Sequence, residues 1–256
     1  MCPVAEVLFS CCRKLDVALP TLQALGYDGV ELLLRRAEDV DVGELERLLA
    51  KHEMEVSAIG TGLATTDGLY LGSREERTRQ EAVKRVLGFS KMAERFDCGV
   101  IVGSIKGGVI PTPSLECLAK SLTELREVKL IIEPLNRYES AFVNKASQAI
   151  ELIKAQNLER ALVLLDTFHM NIEEKSMADA IVSVGERLGY FHIADSNRRA
   201  PGDGHIPFSE VFRALKGIHY DGYVSAEILH EPDSEVALRK TIEFVRGGLR
   251  SGFGTP

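Results

Sequence analysis

Four residues in the second half of the chain carry side chains suited to holding a divalent cation. They are Glu133 in Ile-Ile-Glu-Pro, Asp166 in Leu-Leu-Asp-Thr, His192 in Tyr-Phe-His-Ile-Ala-Asp and Glu227 in Val-Ser-Ala-Glu. Each ends, or lies near the end of, a short apolar run, and successive members are 33, 26 and 35 residues apart. Three carboxylates at the ends of buried strands cost several kcal/mol unless something compensates their charge. A divalent cation does so directly, and one imidazole with three carboxylates favours Mn²⁺, Mg²⁺ or Co²⁺ over structural zinc. Taken singly, a strand-end acid has a plainer explanation, as a helix cap or an arginine partner. Four at consecutive strand ends favour a shared ion.

More polar residues follow the same strand ends. Asn136-Arg137-Tyr138-Glu139 comes after the first, His169 three residues beyond Asp166, and Asp195 to Gly204, with Arg198 and Arg199, after His192. Each is unremarkable alone. Together on one rim they are candidates for substrate contact.

The elements that must position them alternate along the whole chain. Strands are expected at Val4–Ser10, Gly29–Leu34, Glu55–Ile59, Gly99–Gly103, Lys129–Glu133, Ala161–Asp166, Tyr190–Ala194 and Tyr223–Glu227. Helical periodicity falls at Leu15–Leu25, Val42–His52, Glu75–Arg95, Ser114–Glu127, Lys145–Ala155, Met177–Leu188, Pro207–Leu215 and Ser234–Arg246. Runs such as Leu-Ile-Ile and Leu-Val-Leu-Leu suit a parallel sheet buried on both faces. Eight strand–helix units of about 32 residues each predict an α/β fold, a (β/α)₈ TIM barrel, as one domain over 1–256. A doubly wound open sheet is the rival, but no glycine-rich dinucleotide fingerprint follows the first strand. In a barrel, all four candidate ligands would meet at the C-terminal rim, where active sites of this fold sit.

Composition narrows the partners. The 256 residues carry a formal charge of −7, which argues against a general nucleic-acid binder, whose phosphate contacts need excess Lys and Arg. No apolar run approaches the roughly 18 residues of a membrane span, and no signal peptide is evident. The five cysteines, Cys2, Cys11, Cys12, Cys98 and Cys117, form no CxxC pair, so reduced thiols in a cytoplasmic protein are expected. A homodimer or homotetramer is the usual expectation for an enzyme of this size.

The stretch from Ile132 to Ile228 resembles the D-tagatose 3-epimerase group of the xylose-isomerase-like TIM barrels. The matching blocks are Glu-Pro-Leu-Asn-Arg-Tyr-Glu (133–139), Leu-Asp-Thr-Phe-His-Met-Asn-Ile-Glu-Glu (165–174), Phe-His-Ile-Ala-Asp-Ser-Asn-Arg (191–198), Pro-Gly-Asp-Gly (201–204) and Tyr-Asp-Gly-Tyr-Val-Ser-Ala-Glu (220–227). Ala-Ile-Gly-Thr-Gly (58–62) is similar to the branch containing 5-keto-L-gluconate epimerase. The resemblance implies that Glu133, Asp166, His192 and Glu227 bind one divalent metal per subunit, Mn²⁺ ahead of Mg²⁺ or Co²⁺. It also implies that Glu133 and Glu227 are the acid/base pair and that Glu139, His169 and Arg198 contact the sugar. Departures lie at Phe9-Ser10-Cys11-Cys12, in a short fourth helix and at Arg199, and they bear on substrate identity.

Epimerisation beside a ketone removes a proton from one face of a carbon and returns one to the other, so it calls for two flanking carboxylates. The fifth and eighth strands of a barrel lie roughly 135° apart, which can put Glu133 and Glu227 on opposite faces of a sugar. A metal on the ketone oxygen and adjacent hydroxyl would favour a cis-enediolate, with His169 and Arg198 donating to the developing oxyanion. A metal-dependent aldose–ketose isomerase, of the hydroxypyruvate-, rhamnose- or xylose-isomerase type, remains the alternative. A multi-zinc nuclease on this fold would need many more ligands than six histidines in all supply. A binding module would have no need of opposed carboxylates. The acidic loop His230–Glu235 would repel a phosphate, so an unphosphorylated ketose or keto-sugar acid is expected, with Lys106 or Arg199 available to a carboxylate.

Overall fold

The computed structural model describes residues 1–8, 15–109 and 113–251. Eight strands, β1 (Cys2–Leu8), β2 (Gly29–Leu33), β3 (Glu55–Gly60), β4 (Gly99–Val102), β5 (Leu130–Ile132), β6 (Leu162–Asp166), β7 (Leu188–Ile193) and β8 (Tyr223–Ala226), form a closed barrel in sequence order. Every neighbouring pair is parallel, and β1 closes onto β8 through Cys2–Tyr223 to Ala5–Ala226. The open doubly wound alternative is therefore excluded. The Phe9-Ser10-Cys11-Cys12 segment lies outside the described residues.

Nine helices occur among the described residues: α1 (Leu15–Leu25), α2 (Val42–Lys51), α3 (Glu76–Arg95), α4 (Leu115–Glu124), α5 (Ala146–Ala155), α6 (Thr167–Glu173), α7 (Met177–Val184), α8 (Phe208–Gly217) and α9 (Ser234–Ser251). Local chemistry fixes several starts: the Asp41, Ser114 and Ser176 side chains accept from the backbone N–H three residues on and so cap α2, α4 and α7. Two expectations need correction. The helix expected over Met177–Leu188 stops at Val184, because Gly185 takes a φ of +54° and frees Leu188 to begin β7. The segment after Asp166, which is not among the expected helices, is the short helix α6.

Apolar side chains fill two zones. Ala58, Ile101, Ile131, Leu164 and Tyr190 pack inside the barrel below the rim. A larger cluster, including Leu32, Val102, Ile132, Val163 and Phe191, joins the outer face of the strands to the helices. Burial on both faces explains why these strands read as continuous apolar runs. Cys98 is buried and Cys117 half-buried, both free. The side chains of Cys2, Cys11 and Cys12 are outside the described set.

Candidate active site

The register of the barrel brings the four candidate ligands together. Asp166 pairs directly with His192, Ser225 pairs with His192 two residues before Glu227, and Glu133 follows Ile132, the partner of Val102. One ligand atom from each of Glu133, Asp166, His192 and Glu227 lies within 4.8 Å of all the others. His192 Nδ1 is 2.6 Å from Glu227 Oε2, 3.6 Å from Asp166 Oδ2 and 3.7 Å from Glu133 Oε1. Despite these approaches, His192 Nδ1 and Glu227 Oε2 are buried without a partner of hydrogen-bonding geometry. An imidazole nitrogen that faces three carboxylates across 2.6 to 3.7 Å and makes no well-formed hydrogen bond fits a shared divalent cation.

Electrostatics agree. Burial, reinforced by the charge of Glu227, pushes the Glu133 carboxyl up to about 8. Burial also opposes ionisation of Asp166 and Glu227, but Arg198 and the histidines outweigh it and hold Asp166 well below the usual carboxylate range and Glu227 below it. For His192 burial is likewise outweighed, here by Glu31 and Glu227, and its pKa rises well above the ordinary value.

Glu31, on β2, was not singled out by the sequence reading. It is buried, and its Oε2 lies 2.8 Å from His192 Nε2, which leaves Nδ1 to face the carboxylates. A carboxylate on the far nitrogen of a ligating imidazole fixes ring orientation. The signal was present in the sequence, as a lone acid inside Gly-Val-Glu-Leu-Leu. Gly103 was missed as well: a Cβ there would stand 2.3 Å from Glu133 Oε2, so only glycine leaves room for that carboxylate.

The substrate-contact candidates occupy the same rim. His169 sits on α6, with Nε2 3.8 Å from Glu133 Oε1. Glu139, about half exposed, lies on the loop after β5, which Arg137 staples to α6 through both oxygens of Glu173. Glu31, Glu133, Glu139, His169, His192 and Glu227 all line one cavity. Its opposite wall is Gly60, Thr61 and Gly62 from the Ala-Ile-Gly-Thr-Gly segment.

Arg198 is placed differently. Its Nη1 donates to Asp166 Oδ2 at 2.6 Å, its Nη2 meets Glu227 Oε2, and its guanidinium stacks 4.9 Å from the centre of the Phe168 ring. Its backbone adopts a φ of +62°, a conformation that needs support in a non-glycine residue. Asp195 supplies it: Oδ1 accepts from the N–H groups of Ser196 and Ile206, and Oδ2 from that of Gly202. The Pro-Gly-Asp-Gly motif is the complement of this carboxylate. Gly202 has a φ of +93°, and a Cβ on Gly204 would stand 2.2 Å from Asp195 Oδ1.

Neither cation offered to a sugar carboxylate is free. Lys106 is fully buried below the rim, where its Nζ donates to the carbonyls of Gly103 and Glu133, and burial lowers its pKa to about 8. A lysine among glycines looked like exposed loop, but the tight turn folds it inward. Arg199 is paired with Glu231.

A closed parallel barrel whose rim gathers three carboxylates and an imidazole around one point defines a TIM-barrel enzyme with a metal-binding active site. A family model described as a xylose isomerase-like TIM barrel matches residues 19–247. The chain is 32% identical over 218 residues to an L-ribulose 3-epimerase of Methylomonas sp. (strain DH-1), covering 79% of this chain and 74% of that protein. It is 33% identical over 221 residues to a D-psicose 3-epimerase of Enterocloster bolteae, covering 78% and 72%. A crystal structure of a D-allulose 3-epimerase from Methylomonas sp. superposes with a TM-score of 0.85 at 22% identity, over 96% of this chain and 97% of that one, which bears on the fold. The chain belongs to the ketose 3-epimerase branch of the xylose-isomerase-like TIM barrels.

Proposed function

We propose that the chain is a divalent-metal-dependent epimerase of an unphosphorylated ketose or keto-sugar acid that inverts the carbon next to the ketone through a cis-enediolate. The observation that carries this reading is that Glu133 and Glu227, from strands three apart in the barrel, reach one point from different sides. Relatives with the printed activities L-ribulose and D-psicose 3-epimerase support it.

When bound, a divalent cation, Mn²⁺ by preference, supplies Lewis acidity toward a ketone oxygen. The remaining work falls to the chain. Glu133 and Glu227 form the acid/base pair, one removing the C3 proton and the other returning a proton to the opposite face. In the metal-free protein the two carboxyls already differ, Glu133 raised to about 8 and Glu227 held below the usual carboxylate range. His169 donates from Nε2 to the oxygen on which charge develops, Arg198 adds positive charge there, and Glu139 accepts from a sugar hydroxyl. The glycine-rich wall at 60–62 leaves the far end of the sugar few polar contacts.

The partners follow from the same features. The substrate is a small sugar rather than a nucleic acid, in keeping with the formal charge of −7; among the described residues no helix is long and apolar enough to cross a membrane. We place the protein in the cytoplasm as a homodimer or homotetramer. The loop after β8 carries Glu231 and Asp233, and Glu235 follows in the first turn of α9, so free ketoses should turn over faster than their phosphates. Comparing kcat/KM for a free ketose and its terminal phosphate tests this, and a faster phosphate would overturn the substrate class.

A further inference from the structure

The mechanism above requires His169 to present an N–H, not a lone pair, toward the reacting oxygen, and the geometry points to the residue that enforces this. We propose that Asn136 is a positioning residue that fixes His169 as the tautomer with its proton on Nε2. The catalytic consequence rests on the epimerase reading; the tautomer itself does not.

Asn136 is fully enclosed between the loop after β5 and α6. Its Oδ1 accepts from the Tyr138 backbone N–H at 2.9 Å. Its Nδ2 lies 2.7 Å from Glu139 Oε1 and 2.8 Å from His169 Nδ1. The two ends of the amide cannot be exchanged. Reversal would set the amide oxygen against the Glu139 carboxylate and the NH₂ against the Tyr138 N–H. Nδ2 therefore has two hydrogens and two acceptors, and His169 Nδ1 has to be one of them. The Asn136 backbone N–H, 3.4 Å from the same ring nitrogen, points there too.

A proton on Nδ1 would face both N–H groups and would have no acceptor. Glu139 Oε1, the nearest carboxylate oxygen on that side, is 3.9 Å away, beyond hydrogen-bond reach. The proton thus resides on Nε2, which points into the cavity 3.8 Å from Glu133 Oε1. The same amide restrains the Glu139 carboxylate, so one side chain sets two of the three substrate-contact candidates. The Arg137–Glu173 pair keeps loop and helix together around it.

The test is ¹⁵N–¹H correlation spectroscopy of histidine ring nitrogens in the Mg²⁺-loaded protein, a diamagnetic metal being needed, with His169 assigned by its loss in His169→Gln. The expected wild-type result is a bare Nδ1 and a protonated Nε2. Asn136→Asp, which puts an acceptor where Nδ2 stood, should move the proton to Nδ1. It should also lower kcat about 10²-fold, the size of losing one oxyanion donor, with KM little changed. In the His169→Gln background Asn136→Asp should cost little more, because the two act through one interaction. A wild-type ring protonated on Nδ1 would overturn the proposal, as would an Asn136→Asp loss equally large in both backgrounds. If no ketose is turned over, the ring spectra still decide the tautomer, so failure of the epimerase reading is told apart from failure of this one.

Discussion

Replacing either glutamate of the pair by glutamine should abolish epimerisation while leaving half of the chemistry intact. Glu133→Gln and Glu227→Gln are each expected to lower kcat about 10³- to 10⁴-fold, the upper range for a lost general acid or base. The more specific expectation concerns exchange with solvent. With two bases on opposite faces, each variant retains the one that can deprotonate a single epimer. In D₂O, Glu133→Gln should incorporate deuterium at C3 of one epimer only, and Glu227→Gln only at C3 of the other. Because both residues also reach the metal point, the assay is run at saturating metal, with occupancy checked separately. A variant that exchanges both epimers equally would mean that one carboxylate serves both faces.

Removing the metal should have the second large effect. Glu133 and Asp166, both buried, and the partly exposed Glu227 converge with His192 on one point, where Arg198 bridges Asp166 and Glu227. Chelation should therefore eliminate turnover, and Mn²⁺ should restore it. At a hundredfold excess over its dissociation constant the ion adds about 2.7 kcal/mol of stability, or roughly 5–10 °C in Tm for a chain of this size. Uptake should also depend on pH in a stated direction. Glu133 is raised to about 8, so below that pH it holds a proton that must leave before its oxygen can bind a cation. Affinity should rise at least about tenfold per pH unit between pH 6 and 8, since Glu133 and the His192 ring both give up protons to the ion. Calorimetry in buffers of different protonation enthalpy should detect release of more than one proton at pH 7, because the His192 ring, held well above its ordinary pKa, must also shed a proton before it can bind the ion. Affinity independent of pH between 6 and 8 would contradict this assignment of the proton.

The metal site was legible because its ligands obey a one-dimensional rule. Parallel strands of similar length repeat once per strand–helix unit, so side chains at successive strand ends share a rim. The strand-end positions of Asp166 and His192 became neighbours in register for that reason. Residues that act from elsewhere escaped the rule. Glu31 lies within a strand on the far side of the barrel, 161 positions from the imidazole it holds. Asn136 and Asp195 work by accepting from or donating to backbone and ring atoms within folded loops, and spacing carries no record of amide orientation. The α6 helix has seven residues, too few for a periodic pattern, so His169 read as loop. Lys106 misled for the opposite reason: its glycine neighbours suggest exposure, while the same glycines permit the turn that buries it.

The central claim is proton transfer at the carbon beside the ketone by two carboxylates over a metal site, and the position of solvent deuterium in the product tests it most directly. The metal-loaded protein is incubated in D₂O with D-tagatose, D-fructose, L-ribulose and 5-keto-gluconate, and the products are followed by proton NMR. The account predicts deuterium on the carbon next to the ketone together with the corresponding epimer. Deuterium at C1 with an aldose product would contradict it and make the protein an aldose–ketose isomerase built on the same site.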